Sequence, residues 1–319
     1  MRILLIGSQP PPLGGVGVFI ERYRHKLEGE GHSVEVLDPS RVSNGRLLRH
    51  LLTAPTRRYD LISLNYPSLP VMLILLALGL APRTEVFDHN WRLIESWDAP
   101  RRRLYGAFLK RCRELLLTSP RLKDYYREHG VGLPEKTRVQ HAFLPPRVEN
   151  EARILESYTA ELREFIGRSR PLIIANAFKL IYHDGVDLYG LDMCLRLVLK
   201  LKETYPDIGL LFALAEAGDA EREPIEREAL ALGVGHHFFL MSGQRELWPL
   251  FKRAHLFVRP TLTDGYAVSV AEALHFDCPV VASDAAERPN GVRVFKSRDE
   301  EDFKRRCLEA LAARGAHVS

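Results

Sequence analysis

The chain has 319 residues, 46% hydrophobic and 27% charged, with a net charge of +4. These totals fit a folded chain of two ordinary domains and exclude a disordered or fibrous one. Four scattered cysteines, Cys112, Cys194, Cys278 and Cys307, lack metal-ligand spacing, which excludes a structural zinc site and points to a reducing compartment.

The first half alternates short apolar runs with helical spacing. Arg2–Gly7 is predicted as a strand, the apolar run being too short for a signal peptide. Helix follows over 16–27, closed by Gly29 and Gly31, then a strand over 33–37, a helix over 41–52 and a strand over 61–64. The most apolar stretch, Leu69–Ala81, falls short of the roughly 20 residues of a membrane span and is expected as a buried helix. A strand over 84–87, a basic helix over 99–115, a strand over 116–118, a helix over 122–129 and a strand near 138–140 complete the series. The charged segment 147–168 reads as a linker with one helix, and from Pro171 the same alternation starts again. Two such series predict an α/β architecture of two doubly wound parallel sheets.

The most informative stretch is 255–284, HLFVRPTLTDGYAVSVAEALHFDCPVVASD. It reads strand, polar loop, helix, strand, which places the loop at a carboxyl strand end, where open parallel sheets bind ligands. Asp264 lies just before the helix and Glu272 about two turns into it, suiting two parts of one extended ligand. This spacing of seven intervening residues resembles the acidic donor signature of the family-4 retaining glycosyltransferases, with Asp264-Gly265-Tyr266-Ala267 where those enzymes usually read Glu-Gly-Phe-Gly.

Further resemblance lies in the loop running to Gly14 and Gly15, in Gly31-His32, in Gly190-Leu191-Asp192 and in Gly243. It implies the GT-B fold: an acceptor-side Rossmann-like domain over 1–160 and a nucleotide-sugar domain over 161–319, facing a central cleft. It implies a retaining, metal-independent transfer from a UDP- or GDP-sugar to an acceptor hydroxyl, with no cofactor; no Asp-x-Asp triplet occurs in the chain. The implied catalytic residues are Asp264, Lys179 and His89. Donor contacts would come from Glu272, Gly265, Tyr266, Ala267, Val268, Gly243 and Arg259, and phosphate or acceptor contacts from Gly14 and Gly15.

The usual lysine is absent. Tyr189 takes its place in the register that opens a helix at Gly190, and Asp184 in a rival register through Gly185-Val186-Asp187. Lys179 is then the remaining cation, with Arg259 or Arg245 able to compensate. Asp38, ending the second strand, offers a rival dinucleotide site, although Gly-x-Gly-x-x-Gly is missing. The basic helix around Arg101–Arg113 reads as a solvated face; its functional alternative is peripheral contact with anionic lipid near a lipid-linked acceptor, at the cytoplasmic face of a membrane. No aromatic interleaving supports nucleic-acid binding. Two other functions compete: a nucleotide-sugar epimerase of related fold, and a non-catalytic sugar-nucleotide-binding subunit.

Overall fold

The computed structural model describes residues 1–11, 13–65, 68–89, 92–264 and 267–315, and the chain divides into two compact units, Met1–Leu144 and Pro145–Ser319. In the first unit the elements run β1 (Arg2–Ile6), α1 (Gly15–Gly29), β2 (Ser33–Leu37), α2 (Asn44–Leu52), α3 (Ala54–Arg57), β3 (Leu61–Leu64), α4 (Leu69–Ala77), β4 (Thr84–Asp88), α5 (Arg92–Glu95), α6 (Ala99–Leu109), β5 (Glu114–Leu117), α7 (Arg121–Glu128) and β6 (Thr137–Val139). The six strands form one parallel sheet in the order β2-β1-β3-β4-β5-β6.

The second unit runs α8 (Glu151–Glu156), α9 (Ala160–Arg168), β7 (Leu172–Ala177), β8 (Tyr182–His183), β9 (Val186–Asp187), α10 (Leu191–Leu201), β10 (Gly209–Leu214), α11 (Asp219–Ala231), β11 (Phe238–Ser242), α12 (Trp248–Phe251), β12 (Leu256–Arg259), α13 (Val268–His275), β13 (Val280–Ser283), β14 (Val292–Phe295) and α14 (Glu300–Gly315). Its main sheet is also parallel, ordered β11-β10-β7-β12-β13-β14. Side chains alternate across β7: Ile173, Ala175 and Ala177 enter the core shared with α10 and α14, and Leu172 and Ile174 the core under α9, α12 and α13. A sheet covered on both faces needs such unbroken apolar strands.

Two local expectations are corrected. The basic helix stops at Leu109, because Arg113 N–H bonds Thr84 O and draws 114–117 into the sheet beside β4. The segment 145–160, expected with the first domain, belongs to the second unit: Ile154 and Tyr158 are buried in its core, and the Tyr158 hydroxyl donates to Glu246 O at 2.7 Å. Asp184-Gly185 forms the turn of a β8–β9 hairpin with both residues at positive φ, 50° and 77°. The C-terminal segment forms α14, which buries Phe303, Cys307 and Ala310 against the second sheet.

Among the described residues no helix is long and apolar enough to cross a membrane.

Candidate functional site at a sheet switch point

In the second sheet the chain leaves β7 in one direction through β10 and returns on the other side at β12, so the carboxyl ends of β7 and β12 flank a crevice. Arg259, the last residue of β12, spans it. Its Nη1 donates to Asn176 O at 2.6 Å and to Asn176 Oδ1 at 3.1 Å. Ser269 Oγ, in the first turn of α13, donates to the same Oδ1 at 3.1 Å. One side chain of β7 thus ties together the end of β12 and the start of α13.

The other edge of the Arg259 guanidinium grips Asp264, Nε to Oδ2 at 3.0 Å and Nη2 to Oδ1 at 3.2 Å. A second guanidinium joins from beyond β13: Arg288 Nη1 lies 3.0 Å from Asp264 Oδ2, and its Nε donates to Ser283 O at 2.9 Å. Thr261 Oγ1 adds a longer contact of 3.4 Å to Oδ2. These side chains are 10%, 8% and 3% exposed for Arg259, Asp264 and Arg288. Burial alone would raise the Asp264 pKa, but Arg259 and then Arg288 outweigh it and hold the carboxyl below its ordinary value. Two guanidiniums on one carboxylate leave one buried positive charge in excess.

Most of the acceptor positions of Asp264 are occupied by arginine, and it holds Arg259 in a fixed plane instead of standing free.

Tyr189 also meets this cluster, with its ring centroid 5.3 Å from Arg259 Cζ, a cation–π stacking distance. Gly190 follows at φ +73° and opens α10, as the preferred register requires; a Cβ there would lie 2.4 Å from Pro260 O. Asp187 caps the same helix, accepting from Tyr189 N at 2.9 Å and Leu191 N at 2.6 Å.

Lys179 is exposed just past β7, and Glu272 is buried on α13 at 8% exposure. Ala267 precedes that helix at φ 36°, and Val268 begins it. Gly243, at φ +88°, follows β11 and donates to Leu214 O at 3.1 Å. Gly265 and Tyr266 lie outside the described residues. Arg245 is not in the cluster; its guanidinium donates to Ser157 O. Trp248 and Leu250 are fully buried core.

The equivalent end of the first sheet holds His89. Its ring stacks on Phe87 at 4.6 Å and meets Phe19 edge-on at 4.9 Å. Nε2 donates to Asn65 Oδ1 at 3.0 Å, which fixes the tautomer, since that oxygen only accepts. Burial pushes the imidazole down to about 3, so His89 is neutral at pH 7. The unfolded chain binds its proton near 6.5 and the folded chain only near 3; stability is present above that window and falls as pH drops through it. His89→Gln, which keeps a donor and cannot titrate, is expected to remove about 1.4 kcal/mol per pH unit from this slope in denaturant titrations.

Gly14 caps α1 with extended backbone and accepts from Val18 N at 3.0 Å, and Gly15 begins the helix. Asp38 does not offer a free ribose ligand. It is 5% exposed and accepts from Gln9 N at 2.7 Å and Ser40 Oγ at 2.6 Å, so it shapes the first loop. Arg41 clamps the same loop through Gln9 O and Pro11 O at 2.7 and 2.6 Å. Among the described residues no group of three or more His, Cys, Asp or Glu is placed to share a metal ion.

Three residues of the switch-point cluster were not singled out from the sequence: Asn176, Ser269 and Arg288. The signal for Arg288 is its place four residues past Asp284, where a long cationic side chain can fold back over the strand end.

Residues 183–313 match the family described as Glycosyl transferases group 1. No curated protein matches the sequence. Among solved structures the chain is similar to sucrose-phosphate synthase from Thermosynechococcus elongatus, at TM-score 0.66 and 15% identity over 98% of this chain and 90% of that one. It is similar to HepE of Anabaena in complex with UDP, at TM-score 0.67 and 15% identity over 98% and 94%. It is also similar to WaaG, a glycosyltransferase involved in lipopolysaccharide biosynthesis, at TM-score 0.61 and 16% identity over 98% and 90%. Residues 183–313 thus match the group 1 glycosyltransferase model, and the chain has the two-sheet GT-B fold of these solved structures.

Proposed function

We propose that the protein transfers a sugar from a nucleoside diphosphate sugar to an acceptor hydroxyl, with retention at the anomeric carbon and without a metal ion. The observation that carries this reading is the buried positive excess of Arg259 and Arg288 at the switch point, tied through Asn176 to the start of α13. In such a transfer the anomeric carbon–oxygen bond breaks and its electron pair leaves with the diphosphate. Fixed cations and helix amides stabilise that charge as it develops.

In this reading Lys179 and Arg259 face the diphosphate, and Ala267, Val268 and Gly243 offer backbone to the donor. Glu272 holds the ribose hydroxyls. Asp264 keeps Arg259 in position, and Arg288 keeps Asp264 charged. The acceptor oxygen forms the new bond and passes its proton to the departing phosphate. His89, a neutral donor, and the Gly14-Gly15 loop are assigned to the acceptor. HepE is described with UDP bound, which favours a UDP-sugar donor here, and the likeness to WaaG favours a cell-envelope glycan made at the cytoplasmic side.

Thermal shift against UDP-, GDP- and ADP-sugars tests the donor. One of them at a hundred times its Kd is expected to stabilise the fold by about 2.7 kcal/mol, and slow release of nucleoside diphosphate is expected with it. No shift with any of the three would remove the proposal. Binding without turnover would favour a non-catalytic subunit, a reading to which Tyr189 in the lysine's place gives some weight, and an epimerised donor would favour the epimerase.

A further inference from the structure

The segment 41–58 contains five arginines, Arg41, Arg46, Arg49, Arg57 and Arg58, and no carboxylate. Two of the five are neutralised from outside the segment: Arg41 lies 3.3 Å from Asp38, and Arg57 lies 2.8 Å from Glu35. Arg46, Arg49 and Arg58 are exposed and form no ion pair among the described residues. Helix α2 buries Leu51 and turns two leucines outward, Leu48 at 44% and Leu52 at 52% exposure. Leu73 of α4, which packs against α2, is 45% exposed. Beside α2 lies a cavity of about 340 Å³ whose lining includes Leu37, Val42, Arg46, Arg49, His50 and Arg57.

Apolar side chains raised among unpaired arginines fit a surface that is greasy below and anionic above. A soluble protein partner would have to match both; a bilayer carrying acidic lipids offers both everywhere. We infer that α2 and the chain to Arg58 dock this protein on an anionic phospholipid bilayer, with the leucines in the interface and lipid phosphates at the cavity rim. The basic helix α6 does not offer this combination, since it has no exposed large apolar side chain and Arg102 is spent on Ile94 O and Glu95 O.

The inference goes beyond the transfer reaction and does not rest on it. Co-sedimentation of the full chain with vesicles of phosphatidylcholine alone, or mixed with phosphatidylglycerol, tests it. Binding is expected only to the mixed vesicles and is expected to weaken as salt rises. Arg46→Ala with Arg49→Ala is expected to lower the partition coefficient about 30-fold, about five-fold per arginine and again over the pair. Leu48→Ser with Leu52→Ser is expected to weaken binding as well, and both double variants are expected to keep the wild-type circular dichroism and nucleoside diphosphate release. Equal binding to neutral vesicles, no binding to anionic ones, or an Arg46/Arg49 variant that binds like wild type would each overturn the inference. Saturable binding of inorganic phosphate without vesicle binding would assign the cavity to a free anion and overturn it too.

Discussion

Asp264→Ala is expected to lower folding stability by about 3–5 kcal/mol, the usual result when one partner of a buried ion pair is removed. The cause is what the substitution leaves behind. Arg259 and Arg288 stay buried at 10% and 3% exposure, and two like charges then face each other without a counter-ion. A double variant with Arg288→Met is expected to be more stable than the sum of the two single effects predicts, because it removes one of the stranded charges. The native carboxyl is held below its ordinary 3.8, so its contribution is complete above that value and is lost as pH falls through the folded pKa. Asp264→Ala is therefore expected to lose this step from the acid side of the stability profile. Urea titrations at neutral and acid pH check both points, and a loss below 1 kcal/mol would show the cluster to be dispensable.

Glu272→Ala and Lys179→Ala are each expected to lower kcat/KM for donor turnover by about 100-fold or more, which corresponds to about 2.7 kcal/mol of transition-state stabilisation. They differ in kind. Lys179 is exposed and outside the packed core, so its loss is expected to leave stability unchanged and to act on the departing phosphates, lowering kcat. Glu272 is buried on α13, so part of its effect falls on folding, and Glu272→Gln, which keeps the volume, separates the two. Steady-state rates of nucleoside diphosphate release, paired with melting curves, read out both. Wild-type rates in the Lys179 variant would move the phosphate contact wholly to Arg259.

The fold was largely legible because a parallel sheet covered on both faces needs short apolar runs, and here most of them are bounded by turn signals. Leu172–Ala177 and Leu256–Arg259 stand out for that reason. Legibility failed where length was the only cue. The run Glu114–Leu117 follows α6 without a breaker, and only the Arg113 bond to Thr84 O ends the helix. Asp184-Gly185 carries a turn signal, but its strands have two residues each, too short for an alternating pattern. The acidic pair was visible from spacing. The company of Asp264 was not, because Arg288 is 24 residues away and periodicity carries no record of which loop folds over which strand. Tyr189 looked like a loss in the sequence; as a ring against Arg259 it is one wall of the cationic cluster.

Asn176 receives bonds from both Arg259 and Ser269, so the end of β12 and the start of α13 are stitched to one side chain of β7. Loops that share an anchor do not move separately. In the proposed reading, a phosphate that tightened the α13 end would also immobilise the end of β12, and a sugar held there would strengthen phosphate binding by the same factor. Two halves of one donor offered separately, a nucleoside diphosphate and a free sugar, would then bind cooperatively to this domain.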